Sequence, residues 1–194
     1  MDDSGTERKK TDRRTNKTKK AIKNALMDLT AINDISKITV KDIADLADIT
    51  RKTFYSHYAD IPSVLDDIEN EIVKKISTIG GIVGPALNPY PFFKELTELI
   101  NEETAYCNLL INSPVSITIF DKIKKILKSK LIDIYTSGNM CINDLMLGYV
   151  LDFTAAGLIG VYKEWFYSDK KIMLEDLTGQ INLIVFGGLN AITI

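Results

Sequence analysis

Ten consecutive residues, 49–58 (ITRKTFYSHY), gather Arg51, Lys52, Tyr55 and His57, the only histidine of the chain. Arginine and lysine can donate to guanine O6/N7 or to phosphate. A tyrosine can offer its ring to a thymine methyl or its hydroxyl to phosphate, and a histidine can add a backbone contact. That is the chemistry of holding a duplex. Bond-making patterns are missing: there is no Gly-rich phosphate loop and no nucleophile elbow. The adjacent carboxylates Asp66–Asp67 and Glu102–Glu103 would point about 100° apart on a helix and so do not converge. One histidine and two cysteines without CxxC spacing, Cys107 and Cys141, make a zinc site unexpected. No catalytic residue, metal or cofactor is predicted, and the two thiols fit a reduced cytoplasm.

The elements that would position these side chains follow from periodicity. Ile22, Ala25, Leu26 and Leu29 recur at i, i+3, i+4 and i+7, which predicts a first helix over about 14–31. Thr39 is a good N-cap and Asp42 places an acid in the first turn of a second helix, about 40–47, with Val40, Ile43, Ala44 and Ala47 inward. Asp48 tolerates the left-handed backbone that a tight exit demands. Thr50 then caps a third helix, Arg51 to His57. Phe54 and Tyr58, four apart, fall on one face and can join Ile43, Ala47, Ile49 and Leu26, leaving Arg51, Lys52 and Tyr55 on another. Helix, short turn and helix packed on a preceding helix is a helix-turn-helix, whose reading helix enters the major groove by its N-terminal end.

Charge is distributed to match. Residues 1–58 hold 13 Lys/Arg against 9 Asp/Glu, and 59–194 hold 11 against 17. Nine cations fall within residues 8–23, among them Arg14 and Lys17, the footprint of a segment that meets phosphates. Residues 1–13 are polar and are expected to be a disordered basic arm.

Beyond residue 61 the chain reads as an all-α body: helices at about 62–79, 91–106, 114–136, 143–167 and 174–191, with the Gly/Pro-rich stretch 80–91 as a loop. The segment 145–162 is nearly long enough to span a bilayer, but Asp152 near its middle would cost about 3 kcal/mol there, so no membrane span is expected. Small residues, including Gly148, Ala155, Gly157, Gly160 and Gly187, line the last two helices, whose broad apolar faces need a partner. Phe93, Tyr106, Phe120, Tyr149, Asp152, Phe153, Tyr162 and Trp165 form the search area for a pocket.

The stretch TVKDIADLADITRKTFYSHYADIPSVL (39–65), preceded by KKAIKNALMDL, resembles the TetR/AcrR family of bacterial transcriptional regulators. The resemblance implies a three-helix DNA-binding head at 14–60 and a ligand-binding and dimerisation body at 61–194. It also implies a homodimer formed through the last two helices on a palindromic double-stranded operator, and a small-molecule inducer, of unknown identity here, that releases a repressor. It casts Thr39 as a phosphate-contacting cap and Arg51 and Lys52 as base readers. Thr53 and Tyr55 become mixed base and backbone contacts, and His57 a backbone contact, with Thr50 between them as the cap. Ala59 and Ile61 depart from the pattern, the latter where a lysine is common. That leaves open a coactivator working through a protein partner.

Overall fold

The computed structural model describes residues 4–80, 90–113, 116–136, 144–168 and 171–190. Every regular element among them is helical: α1 (Ser4–Thr30), α2 (Val40–Leu46), α3 (Arg51–Tyr55), α4 (Ile61–Thr78), α5 (Tyr90–Glu102), α6 (Thr104–Ile111), α7 (Ser116–Thr136), α8 (Asp144–Tyr167) and α9 (Leu174–Asn190). The chain divides into two compact units, one ending at Asn70 and the other starting at Glu71.

In the first unit, α1 packs on α2 and α2 on α3. The stripe predicted on α1 is the buried one, with Ile22 and Leu26 at 0% exposure, and Ile43, Phe54 and Tyr58 are buried in the same unit. Fully burying a side chain of this size is worth about 1.5–3 kcal/mol. Each change of direction is fixed locally. Asp34 accepts from the Ser36 amide at 2.8 Å and opens a single 3-10 turn, Ile35–Lys37, that periodicity does not reveal. Asp48 adopts φ 52°, the left-handed conformation expected of it, and is the one described non-glycine residue with positive φ. Asp60 accepts from the Ser63 amide at 2.8 Å and starts α4.

In the second unit α5 packs on α9 and α7 on α8. Its core is aliphatic and aromatic, including Phe92, Phe93, Leu110, Leu127, Leu131 and Leu151. Between α5 and α9 the hydroxyls of Thr97 and Thr178 meet, while each also bonds back to a carbonyl in its own helix, Phe93 and Leu174 respectively, at 2.8 Å.

Two expectations are revised. The first helix begins at Ser4, not at residue 14, so the described part of the expected disordered arm is helical backbone. Apart from Gly5 it holds neither glycine nor proline, and its lysines and arginines are good helix formers. The helix expected over 91–106 is two, broken at Glu103, whose backbone (φ −107°, ψ 19°) leaves the helical region and whose carboxylate is drawn into an ion pair with Lys75. Thr104 covers the break by donating to the Ile100 carbonyl at 2.7 Å. Asp152 is tied within the chain to Lys128 at 2.7 Å, and this hydrogen bond holds its carboxyl below the ordinary pKa. No described helix is long and apolar enough to cross a membrane. The loop at 81–89, Pro114, Cys141, Asn143 and the final four residues lie outside the described residues.

Candidate nucleic-acid interface

α3 is a five-residue helix, too short to persist in isolation, and its sequence supplies the two things that hold it. Thr50 caps it: Oγ1 accepts from the Thr53 amide at 3.1 Å and lies 2.9 Å from the Thr53 hydroxyl. Phe54 anchors it at 0% exposure, edge-on to Tyr55 with ring centroids 5.6 Å apart. With Phe54 inward, Arg51 and Lys52 are exposed and Tyr55 stands 57% exposed on the outer face. Thr53 and His57 are half-buried, and Arg14 and Lys17 are exposed on α1.

Thr39 behaves differently from a free phosphate donor. Its hydroxyl donates to Asp42 Oδ2 at 2.6 Å and accepts from the Asp42 amide at 3.2 Å, and its own amide donates to the same carboxylate at 2.9 Å. This reciprocal capping box satisfies two orphan amides at once. The bonds from the Thr39 hydroxyl and amide keep the Asp42 carboxyl below its usual pKa.

Behind α3 lies a knot that sequence reasoning missed. Asp67 of α4 accepts from the Tyr58 hydroxyl at 2.6 Å and pairs with Lys23 at 3.0 Å and Lys19 at 3.4 Å. Lys23 is only 4% exposed, and Lys19 also lies 5.1 Å over the Tyr58 ring. Burial raises the Asp67 pKa, but the Tyr58 hydroxyl and the two ammonium groups outweigh it and bring it below the ordinary value. Lysines off the apolar stripe of α1 read as solvated charges, and no local signal sets Lys23 apart from them.

In the second unit an apolar cavity of about 70 Å³ is walled by α4 to α8. Of the predicted pocket residues Phe120 and Tyr162 line it. Phe93 sits in the core, while Tyr149 and Phe153 are 67% and 80% exposed. Tyr106 is half-buried away from the cavity wall, and Trp165 lines an outer groove, its Nε1 donating to the Ile172 carbonyl at 2.9 Å. Asp152 is on the Lys128 side of α8. A search guided by aromatic residues overlooks the wall residues Ile72, Ile76, Cys107 and Lys163. Burial pushes the Cys107 thiol up to about 12, with the Glu103 carboxylate adding to the rise. Tyr162 presents its ring to the cavity; its hydroxyl is buried beside Thr178 and Thr97 without a well-formed hydrogen bond, and burial raises its pKa.

An exposed cationic helix on a helix-turn-helix, with a hollow helical body in the same chain, defines the architecture of a transcriptional regulator. Residues 87–187 match a TetR family model described as "Transcriptional regulator C-terminal region". A TetR transcriptional regulator from Streptococcus agalactiae 2603V is 25% identical, with a TM-score of 0.65 over 90% of this chain and 97% of that one. The dihydroxyacetone kinase operon activator DhaS superposes with a TM-score of 0.71 at 19% identity, covering 91% of this chain and 98% of its own. The fatty acid degradation regulator FadR from Bacillus halodurans gives 0.68 at 14%, covering 89% and 96%. No curated protein sequence matches the chain. The chain belongs to the TetR family of transcriptional regulators.

Proposed function

We propose that the chain is a non-enzymatic, cytoplasmic DNA-binding repressor that dimerises, occupies a palindromic operator and leaves it when a small molecule enters the body. The observation that carries this reading is the division of α3 into a buried anchor, Phe54, and an exposed outer face of Arg51, Lys52 and Tyr55. Arg51 and Lys52 read bases or clasp phosphate, Tyr55 packs on the groove, and Thr50, Thr53 and His57 flank them. Arg14 and Lys17 add phosphate contacts from α1. Thr39 contributes by fixing the start of α2, since its donors are spent on Asp42. The head is residues 14–60 and the body residues 61–194.

Support for the dimer comes from α8 and α9, which expose Tyr149, Phe153, Leu183 and Ile184 at 63–80%. Apolar surface of that extent on neighbouring helices calls for a cover, and a second copy supplies one with matching faces. Support for ligand response comes from the cavity, and one neighbour, FadR from Thermus thermophilus, is described in complex with lauroyl-CoA.

The test is selection of bound duplexes from fragmented genomic DNA by the purified protein, with Arg51→Ala/Tyr55→Ala as control. The reading expects enrichment of a two-fold symmetric site, a steep fall in affinity with salt, and loss of both in a control that is still folded and dimeric. Enrichment that survives in the control would overturn the role of α3. A second reading, an activator working through a protein partner, draws on the uncharged Ala59 just before α4 and Ile61 at its first position, and on the likeness to an operon activator. It expects no site selected until the partner is added.

A further inference from the structure

Residues 4–20 of α1 contain not one alanine, valine, leucine, isoleucine, methionine or aromatic residue, and they hold eight Lys/Arg against two acids, Glu7 and Asp12. The first buried residue of the helix is Ile22. A helix polar on every side has no apolar face to pack and is marginal by itself, so the partner that stabilises this stretch is a charged one.

The cations are not spread evenly around the helix. Lys19 and Lys23 turn inward to Asp67. Arg13, Lys17 and Lys20 recur at i, i+4 and i+7, within about 60° of helix surface and on the side opposite Ile22 and Leu26. All three are exposed, as is Arg14 beside them. From Arg13 to Lys20 the helix advances about 10 Å, the length over which one strand of B-DNA presents about three phosphates. A membrane-surface helix carries an apolar face beneath its cations, and residues 4–20 supply none. The charge and the missing apolar face together favour a nucleic-acid duplex over a bilayer.

We propose that the stripe Arg13–Lys17–Lys20 is a sequence-indifferent phosphate grip that raises the affinity of the chain for any DNA duplex, while α3 decides which site is chosen. This rests on the reading of the chain as a DNA-binding regulator and divides that function between two helices of one unit. Phosphate contacts carry no sequence information, so the stripe adds affinity and salt dependence without adding choice.

Fluorescence anisotropy of the purified full chain with a random-sequence duplex of about 40 bp, and with the duplex recovered by selection, tests it between about 50 and 200 mM salt. The variant Arg13→Gln/Lys17→Gln/Lys20→Gln removes three charges and keeps good helix formers, with circular dichroism confirming its helicity. It should select the same site as the wild type. Its binding to both duplexes should weaken by about tenfold or more at the low-salt end, and the slope of log affinity against log salt should be shallower by about 2–3 for each head. Lys17→Arg/Lys20→Arg should keep the wild-type affinity and slope, because a phosphate accepts from either cation. Unchanged affinity and slope in the glutamine variant, a change in the selected site, or failure of the arginine variant to bind as the wild type does would each overturn the proposal. Phosphatidylglycerol vesicles are the competing partner: stripe-dependent binding to them that is tighter than to the random duplex would overturn it as well. A chain that selects its site but ignores the glutamine substitutions loses only the grip. One that holds the random duplex through the stripe and selects no site keeps the grip and loses the operator reading, and one that binds no duplex loses both.

Discussion

In the unit that ends at Asn70, side chains bond the backbone wherever the chain turns: Thr39 with Asp42, Thr50 with Thr53, Asp60 with Ser63. The unit that starts at Glu71 is built otherwise. α6 opens at Glu103 with no capping side chain, α7 and α8 are joined by the rim pair Lys128–Asp152, and a cavity remains inside. The first unit is specified residue by residue, whereas the second is specified by how broad apolar faces meet. A locally fixed unit presents α3 in one orientation. A unit held by aliphatic contacts around a void can repack at modest cost, and that suits a part that must answer to a ligand.

The sharpest break of this contrast compares two buried leucines. Leu26→Ala in the first unit should cost about 3–5 kcal/mol, because its neighbours are close-packed, whereas Leu127→Ala on the cavity wall should cost about 2–3 kcal/mol. Urea unfolding of the two variants measures both, and equal losses would erase the distinction. Asp67→Asn comes next, at about 1–3 kcal/mol near neutral pH, since it withdraws the carboxylate from Lys23, which is 4% exposed. The pH dependence has a definite sign. The Asp67 pKa is depressed in the fold, so its contribution is fully present above the unfolded carboxylate value of about 3.9 and is lost as pH falls through the lower folded value. The gap between wild type and Asp67→Asn should therefore be flat from about pH 5 to 8 and close below about pH 4, measured as melting temperature against pH. Thr39→Ala should cost about 1 kcal/mol by loss of the capping box, read by the same unfolding experiment. The smallest effect is expected at Asp48, where φ is 52°: glycine should be neutral within about 1 kcal/mol, and valine should lose about 1–2 kcal/mol.

The same division explains what could be read without a structure. Thr39, Asp48 and Thr50 declare themselves because a cap or a left-handed turn depends on residues within three or four positions, and the inward face of α3 follows from the spacing of Phe54 and Tyr58. Lys23 and Asp67 were invisible because they are 44 positions apart, and nothing local distinguishes a lysine folded under a tyrosine from one in water. In the body, the break at Glu103 has no capping side chain to announce it, and the ion-pair partner Lys75 is again distant in sequence. Phe120 and Tyr162 were found by residue type, but the wall is mostly isoleucine and leucine, which read as any core.

Cys107 offers a clock on that adaptable half of the molecule. A thiol with a pKa of about 12 is thiolate in roughly one molecule in 10⁵ at neutral pH. Alkylation of the chain, with Cys141 replaced by serine, should therefore follow the fraction of molecules in which the wall is open and wet. A ligand that seals the opening would slow that reaction, and one that props it apart would speed it. The chain thus carries its own kinetic reporter of breathing, with no dye attached.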